Sequence, residues 1–130
     1  RWGMNKRIIA DTDVVIDLLR GHDQAISFFK ANEDYIHFSA ITVAEIYAGA
    51  RGKQEQIAIE RLFSVFPVIA ATSEIACEAG KLVQKWRASH SVEVPDAIIA
   101  ATCLFLNAEL STLNLKHYPM FMDLTPPYRK

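Results

Sequence analysis

The sequence predicts an α/β fold: a single domain with a short parallel sheet flanked by helices. Short β-branched apolar runs alternate along the chain with longer segments of helical periodicity, the pattern a parallel sheet with crossover helices requires. The 130 residues suit one compact domain, and with 51% of them apolar they can bury a core without staples. No Pro-, Gly- or Ser-rich stretch and no internal repeat divides the chain, so residues 4–130 are read as one unit.

Taken in order, residues 7–10 read as a buried strand whose end delivers Asp11. Val14, Val15, Leu18 and Leu19 recur at helical spacing until Gly21 closes the helix, and residues 22–32 form a second helix. Residues 35–38 are the next strand, 41–50 and 54–66 two helices, 67–70 a third strand and 73–88 another helix. Pro95 opens a helix that runs to Leu106. Residues 109–112 and 121–124 are short strand candidates, and Pro126-Pro127 is expected to end the ordered part. The Arg1-Trp2-Gly3 that precedes Met4 is read as a remnant of an expression vector.

Composition narrows the function classes. The longest apolar run, residues 97–106, is too short to cross a bilayer, and the N-terminus lacks the charged-then-apolar pattern of a signal peptide. Cys77 and Cys103 lie in helix-like apolar stretches without a partner at metal spacing, and are expected as buried reduced thiols in a cytoplasmic protein. His22, His37, His90 and His117 form no pair at zinc-ligand spacing, and nucleophile motifs of the serine and cysteine hydrolases are missing. A net charge of -1 means that any nucleic-acid role rests on a local site rather than on a global basic field. Arg20, Arg51, Lys53, Lys85, Arg87 and Lys116 are candidates for phosphate contacts, though each reads more simply as a solvated surface charge.

Three acids stand out by position. Asp11 follows an apolar strand that points it into the sheet end, where an unpaired charge is costly unless a cation meets it. Asp13, two residues on, reads as the cap of the following helix. Glu45 fits a capping box with Thr42, yet its helix looks apolar on nearly every face, so a ligand role is equally compatible. Asp96 sits behind Pro95 in the first turn of a helix, where the dipole favours any acid. Taken singly these positions are ordinary; together, three oxygen donors at element ends make a hard-cation site suited to magnesium or manganese. Asn114, Ser111 and Thr112 by themselves suggest only a polar strand end and turn.

The run Ile8-Ile9-Ala10-Asp11-Thr12-Asp13-Val14-Val15-Ile16-Asp17-Leu18-Leu19-Arg20-Gly21 resembles the opening motif of PIN domains, and of VapC toxins in particular. Thr42-Val43-Ala44-Glu45-Ile46-Tyr47-Ala48-Gly49-Ala50, Val94-Pro95-Asp96-Ala97-Ile98-Ile99-Ala100-Ala101-Thr102 and Leu110-Ser111-Thr112-Leu113-Asn114 follow in the family's order, so the resemblance spans the chain. It implies a Rossmann-like sheet with an acidic pocket, a magnesium- or manganese-dependent endoribonuclease, a homodimer, and inhibition by a cognate antitoxin in a toxin–antitoxin pair. Small stable RNAs, transfer RNA or ribosomal loops, are the family's usual targets.

On this resemblance Asp11, Glu45 and Asp96 take the first three acidic positions and serve as metal ligands. Asn114 takes the fourth position, and His117 stands where many relatives carry another Asp, which leaves fewer charges for a second metal. Thr12 and Thr112 match positions that orient the ligands or the bound water. Two other readings stay open. A catalytically silent PIN-fold module would bind antitoxin or RNA, in keeping with Asn114 and His117. A haloacid-dehalogenase-like phosphatase would use Asp11-x-Asp13, but needs a later Lys and a tandem acidic pair, whereas Asp96 and Asp123 stand alone.

Overall fold

Strands and helices alternate as the patterning requires in the computed structural model, which describes residues 6–130. The order is β1 (Ile8–Ala10), α1 (Thr12–Leu19), α2 (Asp23–Ala31), β2 (Ile36–Ser39), α3 (Ala40–Ala48), α4 (Gly52–Val65), β3 (Val68–Ile69), α5 (Ser73–His90), α6 (Val94–Leu106) and β4 (Glu109–Ser111), then a 3₁₀ turn, Leu115–His117. All pairings are parallel and the strand order is β3-β2-β1-β4. Ile8 pairs in register with Ile36 on one side and Glu109 on the other, so β1 is central. The α/β parallel sheet flanked by helices is thus as the sequence predicts.

Strand periodicity explains the core. Successive side chains of β1 point to opposite faces, so a strand covered on both sides must be apolar throughout. Ile8 and Ala10 pack with Val14, Val15, Phe29, Ile36 and Phe38 on one face. Ile9 packs with Ile99, Ala100, Cys103, Leu110 and Tyr118 on the other. Phe38, fully buried, is the hub of the first face: its ring meets Phe63 edge-on at 5.3 Å and Phe66 at 5.5 Å, with Phe29 tilted at 6.2 Å. Behind the second face, α5 and α6 pack side by side through Ile75, Ala79, Val83, Ala97 and Ala101.

Several expectations are corrected. Residues 121–124 form a bend instead of a fifth strand, with Met122 at 93% exposure, and no strand among the described residues pairs with them. Pro126-Pro127 does not end the packed chain either. Beyond it the Tyr128 hydroxyl donates to Asp17 Oδ2 at 2.7 Å, Lys130 Nζ reaches Asp17 Oδ1 at 3.1 Å, and the Tyr128 ring stacks on His22 at 5.5 Å. A buried carboxylate at 5% exposure demands such partners, and patterning gave no sign that Asp17 was buried. Cys103 is buried as expected, its thiol pushed up to about 12 by burial, but Cys77 is exposed. Arg1-Trp2-Gly3 lies outside the described residues.

Phe38→Ala is expected to cost about 3–5 kcal/mol, read as a lower urea midpoint, because its pocket is walled by three other rings. Burial alone raises the Asp17 pKa, but Tyr128 and Lys130 outweigh it and hold the carboxyl below its ordinary 3.8. The stabilisation is therefore full above that value and is lost as pH falls through the depressed one. Tyr128→Phe should destabilise by about 1–3 kcal/mol at neutral pH, and the gap to wild type should close in melts below about pH 4.

Candidate active site

The strand order creates the crevice. From β1 the chain moves outward to β2 and β3 on one side, and returns to β4 on the other, so the connections leaving β1 and β4 diverge at the carboxyl edge. Open parallel sheets place their ligands at this switch point. β1 delivers Asp11 and the α1 N-terminus there, β4 delivers Thr112 and Asn114, and α6 brings Asp96 on its first turn.

Asp11 is 6% exposed and caps α1, accepting from the Thr12 N–H at 2.8 Å through Oδ1 and from the Thr112 hydroxyl at 2.7 Å through Oδ2. Burial nevertheless holds its pKa above the usual carboxylate range, with Asp96 adding repulsion. Because Asp11 is the cap, Asp13 is not, which corrects the expectation. Asp13 Oδ2 instead accepts from the Leu113 N–H at 2.9 Å, while its buried Oδ1 has no partner. Burial, then the charge of Asp11, pushes Asp13 up to about 6.

Glu45 also departs from expectation. Ser39 caps α3, so no capping box with Thr42 forms, and Glu45 is exposed. The helix is apolar in composition but buries only Thr42 and Ile46, so small exposed alanines misled the reading of its faces. Glu45 is drawn to the site by Thr12, whose hydroxyl donates to Oε1 at 2.6 Å and lies 3.0 Å from the Thr42 hydroxyl. Asp96 is half-buried, with Oδ2 3.4 Å from His117 Nδ1. Its pKa is raised by burial, His117 opposing this and Glu45 adding to it.

Thr112, fully buried, is the hub of the loop: besides holding Asp11 it accepts from the Asn114 N–H at 3.0 Å. Asn114 is exposed at the rim. Sequence reasoning missed Tyr118, whose ring is fully buried and whose hydroxyl has no hydrogen-bond partner. Its pKa is driven up by burial and by the charge of Asp11, although the two groups stand outside hydrogen-bond geometry. No local pattern announces it; only the sheet face brings it under β1. Of the candidate cations, Arg20 and Arg51 line a cleft of about 380 Å³ between α1, α3 and α4, with Glu45 also on its wall and Ile46 and Ile59 among its apolar residues.

The donors are all oxygens, one of them a buried orphan, and only Asp96 has a basic side chain beside it; this fits a hard divalent cation. As they stand, Glu45 is engaged by Thr12 and Asp96 by His117, and among the described residues no three His, Cys, Asp or Glu side chains form a ligand cluster.

The family model of the PIN domain matches residues 8–118. The chain belongs to the PIN-domain family. Within it, the chain is 36% identical over 124 residues to ribonuclease VapC19 of Mycobacterium tuberculosis, covering 92% of this chain and 98% of that protein. Ribonuclease VapC10 of the same organism is 36% identical over 126 residues, covering 93% and 92%. Among solved structures, this PIN domain is similar to a chain of a toxin–antitoxin complex from Klebsiella pneumoniae, with TM-score 0.78 and 28% identity over 95% of this chain and 99% of that one. The resemblance to VapC-type toxins seen in the sequence is thus upheld.

Raised carboxylates act on stability in the opposite sense to Asp17: their contribution is full below about pH 4 and is lost as pH rises through about 6. In chelator, the thermal midpoint should therefore fall between pH 4 and pH 7, and Asp13→Asn should flatten that slope. A midpoint that rises steadily over this range in both proteins would contradict the account.

Proposed function

We propose that this PIN domain is a metal-dependent endoribonuclease toxin, hydrolysing RNA phosphodiester bonds at specific sites and held in check by a cognate antitoxin. One observation carries the reading: acids from three separate parts of the chain, Asp11 with Asp13, Glu45 and Asp96, face the switch point, where burial, and then neighbouring negative charge, raises the proton affinity of Asp11, Asp13 and Asp96. Acids held together at such a cost to their charged forms suit a site that concentrates a cation. The relatives named ribonucleases and the toxin–antitoxin complex support the same assignment.

Asp11, Asp96 and Glu45 would hold magnesium or manganese, with Glu45 and Asp96 exchanging Thr12 and His117 for it. Such an ion, when bound, supplies charge neutralisation for a phosphodiester under attack by water. The protein's own part is positional. Thr112 and the Thr12 N–H fix both oxygens of Asp11, and Thr12 holds Glu45 toward the crevice. Asn114, on the rim, offers an amide to the scissile phosphate. The cleft beside Glu45, with its mixed charged and apolar lining, is the surface we assign to the antitoxin, and a homodimer is the working assembly. Transfer RNA or ribosomal RNA loops are the proposed targets. The absence of an assembled three-ligand cluster among the described residues favours a second reading, a PIN-fold binding module without turnover.

Incubation of antitoxin-free protein with total RNA in manganese, magnesium or chelator decides between them. Cleavage at a few discrete sites is expected with metal only. Asp11→Asn and Asp96→Asn should each lower it roughly a hundredfold or more, while Asp11→Asn melts at or above the wild-type temperature because a buried charge is gone. Wild-type turnover in Asp11→Asn would refute the mechanism, and no cutting by folded wild type would leave the binding module.

A further inference from the structure

The carboxyl-terminal half of α5 carries features that the acidic crevice does not use. Between Glu78 and Glu93 every charged residue is basic: Lys81, Lys85 and Arg87, with His90 closing the helix. The helix dipole accounts for that sign, but not for the aromatic pair beside it. Trp86 is half-buried and the exposed His90 ring stands edge-on to it at 5.4 Å. Lys85 Nζ lies over the indole 5.2 Å from its centroid, so one ring face is already attracting a cation at the surface.

This patch adjoins the site. Residues 91–93 turn the chain directly into α6, and Trp86 packs against the cluster that contains Val92 and Ala97, the latter adjacent to Asp96. His90 and Asp96 are separated by at most roughly 20 Å of chain, about three nucleotides of extended single strand. The crevice itself repels phosphate, so a substrate must be held by contacts outside it.

We propose that Trp86, His90 and Lys85, with Arg87, form a stacking shelf for unpaired RNA bases flanking the scissile bond. A base takes the place of Lys85 against the indole and His90, while the displaced ammonium and Arg87 meet the backbone phosphates. Stacking is tolerant of base identity, so the shelf selects single-stranded over duplex RNA instead of reading sequence. The inference rests on the ribonuclease reading above.

The sequence has two tryptophans, so Trp2→Phe leaves Trp86 as the sole tryptophan, excited selectively beyond the tyrosine absorption. With Asp11→Asn added to spare the substrate, a single-stranded 12-nucleotide RNA in manganese should quench Trp86 saturably. His90→Ala and Lys85→Ala, both at exposed positions, should each weaken binding roughly threefold to tenfold. RNA that binds by fluorescence anisotropy without quenching, or an abasic oligonucleotide that binds equally well, would overturn the shelf. Equal binding of polyglutamate would overturn it in favour of an acidic protein partner. Cleavage by the wild type is scored separately: cutting without quenching removes the shelf alone, and quenching without cutting removes the nuclease and keeps the shelf.

Discussion

Everything at the functional end of this molecule depends on keeping a carboxylate buried at the tip of the central strand. β1 is apolar to its last residue and covered on both faces, so Asp11 emerges where water is scarce. Its charge is tolerable because the first N–H of α1 and the hydroxyl of Thr112 both point at it. Those donors come from opposite ends of the chain, and the loop after β4 is ordered around this bond: Thr112 also accepts from Asn114, and Leu113 reaches Asp13. The carboxyl edge of the sheet is thus shaped by the requirement to solvate one anion.

Helix α1 shows how stability and function divide along a single element. Asp13 and Asp17 lie one turn apart, so they share a face. Asp17 is buried more deeply but receives a phenol and an ammonium, and its charge is an asset to the fold. Asp13 is left with a buried orphan oxygen beside a second anion, and its charge is a liability. The difference lies in partners, not in burial. Among the described residues, the carboxyls whose proton affinity is raised, Asp11, Asp13 and Asp96, all lie at the crevice.

Thr12 and His117 act as stand-ins within that crevice. Each engages one of the acids that the family resemblance assigns to metal. His117, at a position where the family resemblance implies an Asp in many relatives, faces Asp96 and lowers its proton affinity instead of raising it.

The sequence by itself determined the alternation of strands and helices, the parallel sheet, and membership in the PIN-domain family, because these depend on local periodicity and on short motifs. It misjudged whatever depends on partners distant in the chain. Asp17 was silent because its phenol lies 111 residues away, and Asp13 looked like a cap because the Leu113 amide that claims it is 100 residues off. Residues 121–124 have strand composition, yet no sheet edge meets them. Glu45 looked buried because alanines count as apolar whether or not a neighbour covers them. Tertiary structure decided these points for one physical reason: burial, hydrogen bonding and proton affinity belong to pairs of groups, and the fold, not the local sequence, chooses the pairs.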